Sequence, residues 1–420
     1  MVSRLIFASL TAGALFLIIL TLTRTYGHSP LSQFPTSQPT TWPFSSKLDS
    51  PNWIYIPQRD ANNYGLTNQQ CDIAFPGYFD ELLRAKVHRK GNRIEREELD
   101  EWLPNSIRVM IYDQEVYVID RYGFSGLWGN SRGLAIISAI YRAVVAARER
   151  LPNVEFTFCY DDVPDPRNKG TGRAILGLTR SKSQESIWPM PDFGYWSWPE
   201  TKVGSFEEVR RKMAAIEQDL EFSQKIPKLL WRGALGVNYE LRNALLQASE
   251  NKAWSEIKVL DWSSADSKKN DLLSVPEHTH FQYLAHTEGA SYSGRLKYLL
   301  STSSISVIHE LNWVEPFHHL LQADGPNQNY IAVKRDFSDL TAKMDYHLAH
   351  PREAAGIAEN SKKTFKDRYL TPAAQACYWR RLVQAWSEVS FEPDFDRPAN
   401  ISKGEKGERA WRGVPYESYM

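Results

Sequence analysis

The sequence predicts an α/β fold in which two domains with parallel sheets face each other across a cleft, behind one N-terminal transmembrane segment. Short β-rich runs alternate with stretches of helical period between about residues 107 and 345. The aromatic and proline-rich residues 188–199 divide this alternation into two series. One apolar, charge-free run lies near the start of the chain. These observations together favour a membrane-anchored, two-domain α/β protein.

The composition excludes several classes of protein. The chain has 420 residues and is 42% hydrophobic, enough for large packed cores and too apolar for intrinsic disorder. Lys plus Arg and Asp plus Glu both number 50, so no global positive charge is available for a nucleic acid partner. The three cysteines, Cys71, Cys159 and Cys377, are too far apart for a zinc cluster or a disulfide scaffold. Any bound anion therefore needs a local site.

The apolar run, residues 5–23, lies between Arg4 and Arg24. As a helix it is roughly 28 Å long, close to the thickness of the hydrocarbon core of a bilayer. A cleavable signal peptide is the alternative, although its apolar core is usually only about 7–15 residues long and ends at a small-residue cleavage site. We therefore predict a cytosolic tip and signal anchor over residues 1–27. The body then lies in the lumen of the Golgi or endoplasmic reticulum.

The segment after the anchor predicts a stem. Residues 28–51 are rich in Ser, Thr, Pro and Gln and hold too few apolar residues for a core. A lumenal body permits a disulfide, for which Cys71 and Cys377 are candidates because they lie near the two ends of the body. Asn400 begins an Asn-Ile-Ser glycosylation sequon in a polar tail, residues 399–420.

The first series of elements predicts the beginning of a βαβ unit within a domain of residues 52–200. Its expected elements are strands at 107–112 and 116–119, a helix at 132–150 and a strand at 154–159. Ser205 and Glu208 resemble a capping box that opens a helix running to about residue 222.

The second series predicts a parallel sheet in a domain of residues 201–345. The expected elements are a strand at 228–231, a helix at 239–248, a strand at 257–262, a helix at 294–300, and strands at 305–309 and 330–333. Residues 336–388 read as mostly helical, with breaks at Pro351 and Pro372. We expect a C-terminal helical segment, residues 346–398, to pack back across both domains.

Acidic residues follow the strand that ends at Cys159. Ligands of open parallel sheets bind at the carboxyl ends of strands, so Asp161 and Asp162 are placed where chemistry is expected. A carboxylate there can serve as a general base for an acceptor hydroxyl. Two alternatives remain open: the acidic residues build only a turn, or Asp161, Asp162 and Asp165 hold a divalent cation.

Arginines and small residues in the second series predict a phosphate site. Arg232 follows a strand, Arg242 lies on the next helix, and the segment 289–297 combines small residues with Arg295 near a predicted helix start. Backbone N–H groups at a helix start and a planar guanidinium can hold phosphate oxygens without a Walker loop. The alternative is that Ser291 or Ser293 merely caps the helix.

The ordered set of motifs resembles glycosyltransferase family 90, the capsule-associated xylosyltransferase and protein O-glucosyltransferase group, over roughly residues 100–390. The matching segments are residues 160–164, 196–199, 231–233 with Arg242, 289–297, 313–317, 329–333 and 377–379. The resemblance implies a GT-B-like pair of Rossmann-like domains with a cleft between them. It also implies a UDP-sugar donor held by the second domain, the first domain on the acceptor side, and inversion at the anomeric carbon.

The resemblance also implies roles for individual residues. Asp162 matches the catalytic aspartate of the family, Arg295 matches its diphosphate-binding arginine, and Glu315 matches a carboxylate placed to accept from sugar or ribose hydroxyls. Cys71 and Cys377 are similar in placement to a family disulfide. The implied donor-binding set is Trp231, Arg232, Gly233, Arg242, Ser291, Ser293, Gly294, Arg295 and Glu315.

One segment departs from the family pattern. Where relatives often read His-Cys, this chain has His278 followed by Thr279 and His280. A local disulfide of the family is therefore absent here, which affects the loop and not the phosphate site.

The resulting prediction is a membrane-anchored inverting glycosyltransferase. It would move xylose or glucose from a UDP-sugar to a hydroxyl of a glycan, glycolipid or protein acceptor, with Asp162 as base. Arg295 and Arg232 would neutralise the diphosphate, so no metal ion or other cofactor is expected. A carbohydrate-binding pseudoenzyme is one alternative. A hydrolase using Ser291 or Ser293 is disfavoured, because the 289–294 segment misses the Gly-x-Ser-x-Gly elbow by one residue.

Overall fold

The structure, a computed structural model, describes residues 53–101, 103–120, 126–164, 172–199, 203–395 and 412–419, with residues 126–128 given as backbone only. The predicted anchor at 5–23, the stem at 28–51 and Asn400 lie outside the described residues. Within these ranges no helix is both long and apolar enough to cross a bilayer. Residues Ile54–Met420 constitute one compact unit.

Among the described residues, four short helices precede the first sheet. They are α1 (Pro57–Asp60), α2 (Asn68–Ala74), α3 (Asp80–His88) and α4 (Arg96–Asp100). Thr67 fixes the start of α2: its hydroxyl accepts from the N–H of Gln70, and the Gln70 side chain accepts from the N–H of Thr67.

The first half of the body is a mixed α/β layer. Its elements are β1 (Ser106–Tyr112), β2 (Glu115–Asp120), α5 (Gly126–Val145), β3 (Val154–Cys159), β4 (Ile175–Gly177), β5 (Arg180–Ser181) and β6 (Ile187–Pro189). The six-stranded sheet has the order β15 (Val414–Pro415), β2, β1, β3, β4, β6. The C-terminal tail therefore supplies one edge strand.

The structure confirms the predicted βαβ unit only in part. β1 and β2 form a hairpin whose turn residues, Asp113 and Gln114, both have positive φ. β1 is also antiparallel to β3, whereas β3, β4 and β6 are parallel to one another. β2 and β3 thus run in the same direction on either side of α5, and the reversed strand β1 lies between them. The two-residue turn makes this reversal.

A small hairpin leads into the second half. β7 (Ser197–Trp198) pairs with β8 (Gly204–Ser205), and α6 (Phe206–Glu217) follows. The Ser205 hydroxyl accepts from the N–H of Glu208, as the capping pattern predicts, but α6 ends at Glu217, earlier than expected.

The second half contains a fully parallel five-stranded sheet with the order β10, β9, β11, β12, β14. Its elements are β9 (Ile226–Gly233), α7 (Tyr239–Ala248), β10 (Ser255–Val259), α8 (Ala265–Asn270), β11 (Phe281–His286), α9 (Leu296–Leu300), β12 (Ile305–His309), β13 (Trp313–Val314) and β14 (Ile331–Val333). The prediction of parallel sheets is confirmed here. The central strand β11 and the helix α8 were not predicted, and α9 begins at Leu296, two residues later than predicted.

The C-terminal helices return to the first half. They are α10 (Leu340–Ala349), α11 (Pro351–Ser361), a π-helical segment (Lys362–Tyr369) and α12 (Pro372–Ser387). Both prolines stand at the first turn of a helix, as expected. On α12, the Trp386 indole N–H donates to the carbonyl of Glu155 at 3.0 Å, which attaches this helix to β3.

Cys71 and Cys377 form a disulfide that joins α2 to α12 across 306 residues of sequence. Both sulfurs are buried, and the guanidinium of Arg380 lies 3.4 Å from the sulfur of Cys71. The first and last helical layers of the body are therefore covalently connected.

Candidate active site

The candidate site lies where the strand order of the second sheet reverses. β9 is followed by β10 on one side and has β11 on the other, so a crevice opens between the carboxyl ends of β9 and β11. Gly233 ends β9, and His286 ends β11. Two of the three arginines predicted for the donor site, Arg295 and Arg242, lie at this edge.

Arg295 and Arg242 approach the same edge from two segments. The Arg295 Nη1 donates to the carbonyl of Arg232, and its guanidinium carbon is 6.0 Å from the ring centroid of Trp231. Arg242 is buried on α7 and donates to the carbonyls of Ala234 at 2.5 Å and Glu288 at 3.5 Å. The buried Nε of Arg242 has no partner among the described residues.

The positive charge at this edge is not compensated by the described residues. The hydrogen bonds of Arg295 and Arg242 go to carbonyl oxygens, and no described carboxylate forms an ion pair with either. Burial and the neighbouring charge of Arg242 lower the pKa of Arg295 to about 10. Burial lowers the pKa of Arg242 too, and burial together with Arg295 and Arg232 lowers the pKa of His278 to about 4. An anion is the ligand that relieves this arrangement.

Trp231 and Gly233 shape the edge. The buried indole of Trp231 donates to the Thr287 hydroxyl at 3.0 Å. A Cβ at position 233 would lie 2.7 Å from the Trp231 ring and 3.3 Å from Nη2 of Arg295. A glycine at position 233 therefore leaves space for the indole of Trp231 and the guanidinium of Arg295, which lie close together at this edge.

Arg232 does not present its guanidinium to this edge. Its Nη2 donates to Oε1 of Glu256 at 2.7 Å, its Nε donates to the carbonyl of Asp271 at 2.7 Å, and Nη1 is bonded to carbonyl oxygens. Protein groups therefore occupy the donors of this side chain, and its role as a diphosphate ligand stays a prediction. Its carbonyl instead holds Arg295.

The segment between β11 and α9 contacts the first half of the body. The buried Ser291 hydroxyl donates to the backbone carbonyl of Asp162. Neither Ser291 nor Ser293 caps α9, whose N-cap is Arg295, and Ser293 makes no side-chain hydrogen bond with the described residues. At Gly294 a Cβ would lie 3.2 Å from a carboxylate oxygen of Asp192. The structure thus brings Asp162 against the loop that leads to Arg295.

The two neighbouring aspartates differ in their environments. Asp161 is held on both oxygens: Oδ1 accepts from the N–H of Asp162 at 2.7 Å, and Oδ2 accepts from Asn105 at 2.7 Å. Asp162 has a side chain 46% exposed, and its Oδ1 accepts from Nη1 of Arg132 at 3.0 Å. Its Oδ2 has no partner among the described residues. Asp161 therefore fits a structural role, and Asp162 retains a free oxygen. Asp165 of the alternative cation site lies outside the described residues.

Two buried residues missed by the sequence analysis hold the halves together. Lys297 on α9 pairs with Asp192 at 2.7 Å, and both side chains are 1% exposed. The Tyr292 hydroxyl donates to the same Asp192 oxygen at 3.3 Å, and burial raises the pKa of Tyr292 well above its usual value. Lys297 lies in the matched segment 289–297, but nothing in the sequence marks Asp192 as its partner.

The aromatic segment 193–198 is buried only in part, because Phe193 is buried whereas Tyr195, Trp196 and Trp198 are half-buried. Phe193 is 3% exposed and makes an edge contact with Trp198, their ring centroids 5.5 Å apart. Tyr195 makes a similar contact with Phe206 at 5.1 Å. Trp196 is covered by Arg142, whose guanidinium carbon is 3.9 Å from a Trp196 ring centroid.

Glu315 is buried and already engaged. Its Oε2 accepts from Nε2 of His318 at 2.9 Å, while its own N–H donates to Nδ1 of the same ring at 3.2 Å. Burial raises the pKa of Glu315, although His318 opposes this shift. Only the second oxygen of Glu315 would be available to a sugar or ribose hydroxyl, because the first oxygen already accepts from His318.

A family model described as glycosyl transferase family 90 matches residues 64–402. Protein O-glucosyltransferase 2 of Danio rerio is 23% identical over 271 residues, covering 62% of this chain and 52% of the relative. Protein O-glucosyltransferase 3 of Rattus norvegicus is 28% identical over 256 residues, covering 58% and 48%. O-glucosyltransferase rumi of Drosophila pseudoobscura pseudoobscura is 23% identical over 263 residues, covering 57% and 61%.

The chain spans about half to three fifths of the length of these curated relatives. The family model, in contrast, covers most of the chain, including Asp162 and the whole segment 289–297. The protein therefore belongs to glycosyltransferase family 90.

Proposed function

We propose that this protein is an inverting glycosyltransferase that moves glucose or xylose from a UDP-sugar to an acceptor hydroxyl. The observation that carries the proposal is the contact between the Asp162 loop and Ser291, four residues before Arg295. It connects the loop of the half-exposed Asp162 to the segment that leads to Arg295, and neither Arg295 nor Arg242 has a carboxylate partner among the described residues. The names of the relatives, protein O-glucosyltransferases, favour glucose as the sugar.

In the proposed reaction Asp162 removes the proton of the acceptor hydroxyl through its free Oδ2. The acceptor oxygen then forms a bond to the anomeric carbon on the face opposite the diphosphate, and the bond from that carbon to the diphosphate oxygen breaks. Arg295 and Arg242 stabilise the negative charge that develops on the leaving UDP. Guanidinium groups with uncompensated charge can carry out this role because they are fixed before the reaction begins.

The architecture of the whole protein is proposed in the same terms. Residues 52–200 and 201–345 would be the acceptor-side and donor-side domains of a GT-B pair, and residues 346–398 would pack back across both. Residues 5–23 would anchor the protein to the bilayer, residues 28–51 would form the stem, and the body would lie in the lumen of the secretory pathway. The Cys71–Cys377 disulfide supports this location, because such bonds persist in oxidising compartments. The acceptor is a glycan, glycolipid or protein.

The test compares two adjacent carboxylates in the full-length chain. UDP release is measured with UDP-glucose and with UDP-xylose, and UDP affinity is measured by calorimetry. We expect wild type to turn over one of these donors. Asp162→Asn should lower turnover by about 10²–10⁴-fold, with UDP affinity unchanged within about twofold, because it removes only proton transfer.

Asp161→Asn is the matched control. Its amide oxygen can still accept from the N–H of Asp162, so the loss of turnover should be smaller than about tenfold. A parallel loss of UDP affinity in Asp162→Asn, or a larger effect of Asp161→Asn, would contradict the assignment of the base. Release of no UDP from either donor would favour a carbohydrate-binding pseudoenzyme.

A further inference from the structure

We propose that Arg132 is a positioning residue that orients Asp162 for proton transfer, an inference that rests on the proposed role of Asp162 as base. Arg132 lies on α5, thirty positions before Asp162 in sequence, and its Nη1 is 3.0 Å from Oδ1 of that carboxylate. The same Nη1 lies 3.4 Å from the carbonyl of Tyr160. One guanidinium therefore contacts both the strand end and the carboxylate that follows it.

The burial of the two partners shows which one orients the other. The side chain of Arg132 is 13% exposed, whereas that of Asp162 is 46% exposed. A carboxylate that faces solvent rotates among rotamers unless a partner holds it. The charge-assisted hydrogen bond to the buried guanidinium fixes Oδ1, and this leaves Oδ2 to face the acceptor.

Arg132 is itself held by the segment that joins the two halves. Its guanidinium carbon lies 4.5 Å from the ring centroid of Phe193, which is 3% exposed. The residue before Phe193 is Asp192, whose carboxylate pairs with Lys297 two residues after Arg295. The segment of Asp192 and Phe193 therefore contacts Arg132, which orients the base, and also Lys297, which lies two residues after Arg295.

The experiment measures kcat, KM for the UDP-sugar that wild type turns over, and UDP affinity, all in the full-length chain. Arg132→Gln should lower kcat by about 10–100-fold, with KM and UDP affinity within about twofold, because the carboxylate remains but loses its orientation. Arg132→Lys keeps a charged donor without the planar fork and should recover part of that loss. Melting temperatures report whether each variant is folded.

A matched control comes from the same helix. Arg142 is exposed, ten positions after Arg132, and donates to the Tyr64 hydroxyl at 2.8 Å while stacking on Trp196. Arg142→Gln removes a similar contact that does not reach Asp162, so its kcat should equal that of wild type. The double variant Arg132→Gln with Asp162→Asn should be no slower than Asp162→Asn alone, because Arg132 acts only through that carboxylate.

Three results would overturn the inference. The first is an Arg132→Gln variant with kcat within twofold of wild type while Asp162→Asn is inactive, which leaves the proposed function intact. The second is a double variant clearly slower than Asp162→Asn, or an Arg132→Lys variant no faster than Arg132→Gln. The third is full turnover in Asp162→Asn, which removes the base itself and with it the proposed function.

Discussion

At the scale of single residues, the arginines of the second sheet divide into two kinds. Arg232 is saturated by Glu256 and by backbone carbonyls, so it supports the sheet edge. Arg295 and Arg242 have carbonyl partners and no described carboxylate. Keeping such charges buried costs stability in the absence of an anion, a pattern found at binding sites.

The difference between Arg232 and Arg295 predicts how Arg295→Met changes UDP affinity and thermal stability. UDP affinity should fall at least about tenfold, because a charged contact to the diphosphate is lost. The melting temperature of the ligand-free protein should stay the same or rise, because a partly buried charge without a carboxylate partner among the described residues is replaced by an apolar chain of similar length. Calorimetry measures the UDP affinity, and thermal unfolding without UDP measures the melting temperature. An unchanged UDP affinity would remove Arg295 from the site.

The sequence predicted some of these residues and not others. Asp162 and Arg295 stand inside matched motifs, so the resemblance pointed to them directly. The engagement of Arg232 with Glu256 depends on the pairing of β9 with β10, a contact across 24 positions that no local pattern shows. The contact of Arg132 with Asp162 likewise requires α5 and the end of β3 to be placed in space.

At the scale of elements, some short β-rich segments were predicted with their correct bounds, as for β3 and β12. β11 was missed because His286 and Gln282 interrupt its apolar pattern, although four of its residues are buried. The end of α6 was also misplaced. That helix stops at Glu217, whose carboxylate binds two lysines from distant segments.

Glu217 predicts a pH-dependent stability. Its side chain is 3% exposed, and it contacts Lys225 at 2.7 Å and also Lys366 of the π-helical segment. Burial alone would raise its pKa, but the two lysines outweigh burial and the pKa is lowered. A lowered folded-state pKa means that this stabilisation is complete above the unfolded pKa near 4.5 and is lost as the pH falls through the folded-state value.

Glu217→Gln should therefore reduce the free energy of unfolding by about 3–5 kcal/mol at pH 7, because it leaves the buried ammonium of Lys225 and the partly buried ammonium of Lys366 without a carboxylate. The difference from wild type should shrink below about pH 4. Urea unfolding at pH 7 and at about pH 3 measures both values. Glu359→Gln, which breaks exposed pairs with Lys362 and Lys363, is the control and should cost less than about 1 kcal/mol. Equal costs for the two variants would contradict the prediction.

At the scale of the whole molecule, the sequence predicted two series of elements and a mixed α/β body with parallel strands. It did not predict that β1 pairs antiparallel with β3 or that the tail strand β15 pairs with β2, because both pairings join segments far apart in sequence. Contacts between the halves, such as Ser291 with Asp162 and Lys297 with Asp192, also lay beyond sequence patterns. These contacts require both halves to be folded.

The disulfide between Cys71 and Cys377 predicts a contribution to the stability of the whole molecule. For a closed loop of 306 residues, the chain-entropy model assigns roughly 6 kcal/mol to the Cys71–Cys377 bond. Replacing both cysteines by serine should lower the free energy of unfolding by about 2–6 kcal/mol, measured in urea. A reducing agent should destabilise wild type by a similar amount and leave the double variant unchanged. Equal sensitivity of the two proteins to the reducing agent would contradict this account.

The same bond has a consequence for biosynthesis. The ribosome delivers Cys377 only after the 306 positions that follow Cys71, which takes about 15–60 s at 5–20 residues per second. During that interval the earlier thiol is exposed to other cysteines and to small oxidants. Correct closure must therefore follow completion of nearly the entire polypeptide, so a host that supplies disulfide isomerase should yield more active protein than a host with a reducing cytosol.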